Sequence, residues 1–120
     1  HTFAHAYEAS LGYSKRLNHG EAVILGIKTA LNFCSKENII NKSDHRSIIN
    51  HIINSNLPSS LNKFFKVKDL NKILFFMSKD KKNNSNKINL VLLKKIGLPL
   101  KSKKYSKKKL SSFLKNELSY

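Results

Sequence analysis

The sequence of 120 residues has few of the residue types and segments that several classes of protein require. Its one cysteine, Cys34, excludes an internal disulfide framework and a zinc site built from several thiolates. No apolar run approaches the roughly 20 residues that a membrane-spanning helix needs. The first residues also lack the basic and apolar regions of a signal peptide. We therefore expect a cytoplasmic protein without a membrane partner.

Acidic residues are scarce, since seven Asp and Glu stand against 23 Lys and Arg, for a net charge of +16. Residues 1–40 hold four basic and three acidic residues, whereas residues 41–120 hold 19 and four. Clustered lysines favour nucleic acid through counterion release, but arginine is rare and no nucleic-acid-binding motif is present. We therefore interpret the excess as permissive surface composition and keep a small basic nucleic-acid-binding protein as an alternative.

Apolar residues make up 40% of the chain, which is enough for the core of one domain over residues 1–120. Their spacing predicts a mainly α-helical fold with one short β-strand or hairpin near residues 88–100. Gly12 is expected to end the first helix in a left-handed conformation. Helices are predicted over residues 1–11, 20–38, about 43–56, 69–77 and 106–118, with Ser43 or Asp44 capping the third and Ser106 the last. The core candidates of the second helix are Ala22, Leu25, Ala30, Phe33 and Cys34.

Three groups of polar residues could carry chemistry. His1, His5 and Glu8 are spaced to share one face of the first helix. Residues 19–21, His-Gly-Glu, stand at a loop-to-helix junction whose exposed N–H groups favour anions. Residues 80–82, Asp-Lys-Lys, follow a helix. Each group alone also fits a structural or surface role, but together they fit metal-assisted chemistry on an anionic substrate.

The segment HTFAHAYEASLGYSKRLNHGEAVILGI, with DKKNNSNKINLVLLKKIG downstream, resembles the helical C-terminal domain of the 3-dehydroquinate synthases. That family's pattern is HTFGHAxE, a short loop and HGEAVxxGM, then DKK, a spacer, a strand and IG. The match runs from His1 to about Gly97, with Ala4 in place of the usual Gly and Ile27 in place of the common Met. Residues 98–120 add a basic tail with a helix.

The resemblance implies a lyase of the shikimate pathway for aromatic amino acid and chorismate biosynthesis. Its substrate would be 3-deoxy-D-arabino-heptulosonate 7-phosphate and its products 3-dehydroquinate and phosphate. It also implies bound NAD, a divalent metal (zinc first, cobalt second) and a homodimer. Family members have an N-terminal NAD-binding domain, and no Gly-rich phosphate loop occurs here. We expect this segment to be inactive alone. A related sugar-phosphate cyclase is the alternative enzyme.

The histidines acquire separate roles through the resemblance. His1 and His19 match the two family histidines that bind the metal, and the third ligand is a Glu upstream of this segment. His5 matches a residue near the substrate phosphate and the proton transfer, which makes it a catalytic candidate. Spacing alone would instead make His1 and His5 the ligand pair, so His5 as a metal ligand stays an alternative.

The resemblance also implies roles for two lysines and two acidic residues. Lys82, with Lys81 as the second choice, matches a lysine that contacts the substrate phosphate, where an ammonium offsets negative charge. Glu21 and Asp80 are expected to orient neighbouring groups of the site. No residue of this segment is expected to bind NAD.

Overall fold

Five α-helices and four short strands make up the part of the chain that the computed structural model describes, which is residues 2–55, 60–79, 87–90, 93–95, 98–99 and 103–119. The helices are α1 Thr2–Ser10, α2 His19–Lys36, α3 Lys42–Asn54, α4 Leu70–Met77 and α5 Lys107–Leu118. Two 3-10 turns lie at Leu61–Lys63 and Val67–Asp69. The predicted mainly α-helical class is confirmed. None of the described helices has the length and apolar composition needed to span a bilayer.

The helix ends follow their capping residues. Gly12 has φ +64°, so it ends α1 in the predicted left-handed conformation. Ser106 caps α5, where its Oγ accepts the Lys109 N–H at 3.2 Å. The prediction of Ser43 or Asp44 as the cap of α3 is wrong. The side chain of Asn41 accepts the Asp44 N–H at 2.7 Å, because Asp44 already lies inside the first turn.

The strands form two antiparallel pairs. β2 (Leu93–Lys95) pairs with β3 (Leu98–Pro99), which confirms the hairpin expected near residues 88–100. β1 (Lys87–Leu90) pairs with β4 (Lys103–Ser106) in a register that sets Ile88 opposite Tyr105. β4 lies beyond the predicted range because Lys-Lys-Tyr-Ser offers a single apolar residue and no alternating pattern.

The first two helices touch at their backbones. A Cβ atom on Gly26 of α2 would lie 2.9 Å from the Ala4 backbone nitrogen and 3.0 Å from the Ala4 Cβ of α1. Beside this crossing, the Tyr7 hydroxyl donates to Thr29 Oγ1 at 2.7 Å, and Thr29 Oγ1 donates to the Leu25 carbonyl at 2.8 Å. Burial raises the pKa of Tyr7, so this phenol stays a donor. The small pair Ala4 and Gly26 therefore sets the distance between α1 and α2.

The second half of α2 packs against the end of the chain. Phe33 makes edge-to-face contacts with Tyr105 of β4 at 4.9 Å and with Phe113 of α5 at 5.1 Å between ring centres. Leu110 and Leu114 of α5 are fully buried. The apolar residues of the basic segment 103–119 thus form part of the core. Of the core candidates in α2, four are buried and Ala30 is partly buried.

A chain of polar side chains joins α3, α2 and α5. His45 Nε2 donates to Asn32 Oδ1 at 2.8 Å, and Asn32 Nδ2 donates to Glu117 Oε1 at 2.6 Å. His45 thus contributes to the packing of α3 against α2. Partial burial lowers the pKa of His45, and the nearby Glu117 carboxylate opposes this shift. Ile52 is the buried residue of α3, whereas Ile53 is 50% exposed.

Replacing Gly26 by Ala should destabilise the protein. The added methyl would overlap the backbone of Ala4, so we expect a loss of about 1–3 kcal/mol in the free energy of unfolding, as for other overpacked sites. Gly20→Ala is the matched control, because its Cβ would meet only Asn18 Oδ1 at 3.5 Å. Urea denaturation measures both variants. Equal stability of the two would contradict a close contact at this crossing.

The lowered pKa of His45 predicts that acid weakens the polar contact that joins α3, α2 and α5. The folded protein binds this proton more weakly than the unfolded chain, whose histidine titrates near 6.5. The free energy of unfolding should therefore fall as the pH decreases below 6.5, and this contribution should be constant above it. Denaturation of the wild type, His45→Gln and His51→Gln between pH 5 and 8 measures this pH dependence; His51, on the exposed side of α3, is the control. We expect the pH dependence of the free energy of unfolding to become smaller only in His45→Gln. An identical pH profile in all three proteins would refute the assignment.

Candidate functional site

A cleft of about 640 Å³ lies where the start of α2 meets α1 and the end of α4. It brings together His5 and His19, which are two of the histidines singled out in the sequence. Its lining is formed by Thr2, His5, Glu8, Ala9, Tyr13, His19, Phe76, Met77 and Lys79. The cleft therefore combines imidazole, carboxylate and ammonium groups in one concave surface.

Glu8 of α1 holds the ring of His19. Both carboxylate oxygens lie 3.2 Å from His19 Nδ1. Because a carboxylate can only accept, the proton is on Nδ1, and the neutral ring keeps its lone pair on Nε2. The Glu8 side chain is 13% exposed and that of His19 is 68% exposed. The carboxylate is therefore largely buried, whereas the imidazole ring remains accessible to solvent. His19 can thus offer Nε2 to a cation.

The pairing of Glu8 with His19 was not predicted. Helical spacing placed Glu8 with His1 and His5, which are neighbours on the same helix. The partner, His19 of α2, is 11 residues away in the sequence, and the two side chains meet because α1 and α2 pack against each other. The sequence places Glu8 near the end of α1 and His19 at the start of α2. Helical spacing, however, predicts contacts only within one helix and could not pair these two residues.

Glu21 fixes the start of the helix that carries His19. Its backbone N–H donates to Asn18 Oδ1 at 2.8 Å, and its carboxylate accepts the Asn18 N–H at 3.0 Å. This reciprocal pair is a capping box, which satisfies two backbone donors at the helix start. Glu21 therefore acts on the backbone next to His19.

Four of the predicted site residues, His1, Asp80, Lys81 and Lys82, lie outside the described residues. Within the described ranges, no group of three His, Cys, Asp or Glu side chains is close enough to hold a metal ion. In the described part of the cleft, the imidazole that a carboxylate orients is that of His19. Cys34 is buried in the core, as predicted.

Two further cleft residues were missed in the sequence. Lys79 directly precedes the Asp-Lys-Lys segment and lines the cleft. Tyr13 is 73% exposed at the cleft and has φ +57°, a conformation that bulky residues rarely adopt. Its N–H donates to the Glu8 carbonyl at 2.9 Å, which ties this turn to α1.

The sequence profile described as 3-dehydroquinate synthase C-terminal matches residues 1–83. The 3-dehydroquinate synthase of Pelagibacter ubique is 55% identical over 118 residues, covering 98% of this chain and 32% of that protein. The enzyme of the same name from Zymomonas mobilis is 33% identical, with 98% and 31% covered. The chain spans about a third of the length of these curated relatives.

The fold is shared with a solved structure, that of 2-deoxy-scyllo-inosose synthase complexed with carbaglucose-6-phosphate, NAD+ and Co2+. The TM-score is 0.70 at 20% sequence identity, and the likeness covers 97% of this chain and 32% of that chain. The helical arrangement found here is therefore also part of a larger protein.

Removing the Glu8 carboxylate should release the ring of His19. In metal-free protein we expect ¹⁵N shifts of the His19 ring to show the Nδ1–H form when neutral, and Glu8→Ala to lose this preference because the acceptor is gone. Asp44→Ala, on α3, is the matched removal of a carboxylate and should leave the spectrum of His19 unchanged. A Nδ1–H form that persists in Glu8→Ala would contradict the role of Glu8.

Proposed function

The chain belongs to the 3-dehydroquinate synthase family, and on this basis we propose that it is the metal- and substrate-binding C-terminal domain of such an enzyme. The whole protein would convert 3-deoxy-D-arabino-heptulosonate 7-phosphate to 3-dehydroquinate and phosphate in the shikimate pathway. Residues 1–120 would form one domain of it. The observation that carries the proposal is the cleft that combines His5, His19 and Glu8 in a chain matching the family over residues 1–83.

The donors present fit a zinc site. His19 would bind through Nε2, since Glu8 accepts the Nδ1–H, and a histidine fixed in this way by a carboxylate is typical of zinc ligands. His1 and a glutamate from outside this segment would complete the set. When bound, the metal polarises substrate oxygens, and NAD removes and returns a hydride. The Co2+ and NAD+ in the solved cyclase of the same fold support this pairing.

The protein side chains would position the substrate and move its proton. His5 lies on the cleft wall and would take part in proton transfer near the phosphate. Lys82, or Lys81, would offset the phosphate charge. Asp80 would orient these groups, and Glu21 would act through the start of α2, where its carboxylate accepts the Asn18 N–H.

Three further properties are proposed from family membership. The other part of the whole protein would bind most of the NAD. The enzyme would be a homodimer and would work in the cytoplasm.

Activity is tested with the full-length protein that contains this chain. We expect release of inorganic phosphate and formation of 3-dehydroquinate when NAD and Zn2+ are supplied with the heptulosonate phosphate. Turnover of glucose 6-phosphate in place of the heptulosonate would instead indicate a related cyclase, a choice suggested by the sugar phosphate in the solved relative. Turnover of neither compound would overturn the proposal.

Metal binding should depend on the histidines assigned to it. In the full-length protein, His19→Ala and His1→Ala are expected to lose the bound metal and turnover, because each removes a ligand. Glu8→Ala should weaken metal binding about 10- to 100-fold, as is usual for a group that orients a ligand. The control is His51→Ala on the exposed side of α3. Full metal content in both ligand variants, measured by elemental analysis, would refute the assignment.

A further inference from the structure

Lys79 is held by a hydrogen-bonded turn immediately after α4. The helix ends at Met77, and the Ser78 Oγ donates to the Phe75 carbonyl at 2.7 Å. The Lys79 N–H donates to the Phe76 carbonyl at 3.2 Å. These hydrogen bonds fix the backbone of Lys79 to the end of α4, and Lys79 lines the cleft.

The side chain of Lys79 rests on an exposed aromatic ring. Its Nζ lies 4.8 Å from the centre of the Phe75 ring, which is a cation–π contact. Phe75 is 52% exposed, and its ring stands edge-on to that of Phe76 at 5.3 Å. Phe76 is itself part of the cleft wall. The two rings therefore limit the directions in which a flexible lysine can point.

The charges in the cleft leave this ammonium available to an anion. Among the described residues that line the cleft, Lys79 carries the only permanent positive charge. The one carboxylate there, on Glu8, is engaged by His19 Nδ1. Because the neutralising partner inside the cleft is already occupied, an entering anionic group would meet Lys79 without competition from Glu8.

We propose that Lys79, steadied by Phe75, is a further substrate-binding residue that contacts anionic oxygens of the substrate, either its phosphate or its carboxylate. The proposal rests on the proposed function, which supplies a sugar acid phosphate as the ligand. Lys79 binds and positions the substrate and takes no part in bond breaking. Its loss therefore affects the KM for the substrate and leaves kcat nearly unchanged.

The test uses steady-state kinetics of the full-length holoenzyme with NAD and Zn2+. We expect Lys79→Gln to raise the KM about tenfold, the effect of losing one charge-assisted hydrogen bond, with kcat within about twofold. Lys79→Arg should retain most of the affinity. Phe75→Leu should raise the KM by a smaller factor, whereas Phe75→Tyr should behave as the wild type because it keeps the ring.

Two measurements separate a direct contact from a structural effect. The KM of the wild type should rise with ionic strength, and this rise should be weaker in Lys79→Gln, because screening acts on a charge that has been removed. Lys72→Gln is the matched control: it removes the same charge from an exposed position on α4 that does not line the cleft. We expect its KM to equal that of the wild type.

Inorganic phosphate distinguishes the two anionic groups. If Lys79 contacts the phosphate of the substrate, Lys79→Gln weakens competitive inhibition by inorganic phosphate in parallel with the KM. If it contacts the carboxylate, the inhibition constant stays the same while the KM rises. Either pattern supports the proposal.

The proposal is overturned if the wild type turns over the substrate and Lys79→Gln has an unchanged KM, or if Lys72→Gln raises the KM equally. A wild-type holoenzyme that neither binds nor turns over the heptulosonate phosphate overturns the proposed function and, with it, this inference.

Discussion

The close approach of α1 and α2 at Ala4 and Gly26 governs the geometry of both the nearby core and the cleft. With no side chain on Gly26, the two backbones come into contact. This separation allows the Tyr7 hydroxyl to reach Thr29 inside the core and the Glu8 carboxylate to reach His19 at the cleft. A wider crossing would leave a buried phenol without its acceptor and a cleft histidine without its orienting group. One contact between small residues thus serves both the core and the site.

Polar and charged side chains connect the other helices to this pair. Glu37 after α2 pairs with Lys109 of α5, and the Lys36 ammonium lies 5.7 Å from the centre of the Phe113 ring. Lys36 and Lys109 thus make specific contacts at the helix surfaces, while the buried faces of α2 and α5 are mainly apolar. The strong positive charge of the chain is therefore compatible with an ordinary core, since long basic side chains cover the apolar surface and keep their charges in water.

The cleft brings together acidic, basic and imidazole side chains from three helical segments. The crossing of α1 and α2 supplies His5, His19 and Glu8, and the end of α4 supplies a cation from another direction. The cleft therefore carries an imidazole that a carboxylate orients and a lysine, which are groups suited to a cation and to an anion, respectively. The family's C-terminal domain matches this part of the chain, and the proposed enzyme would need the remainder of a protein about three times as long.

Local sequence patterns were enough to predict the five helices, the turn at Gly12 and the cap at Ser106, because each depends on residues close together in the chain. The family followed from motifs at both ends of the matched segment. Helical spacing also identified His5 as a candidate, and the His-Gly-Glu segment at a helix start identified His19. The contact of Glu8 with His19, the pairing of β4 with β1 and the position of Lys79 at the cleft became visible only in the three-dimensional structure. These features depend on the distance and angle between elements that are separate in the chain, which no local pattern encodes.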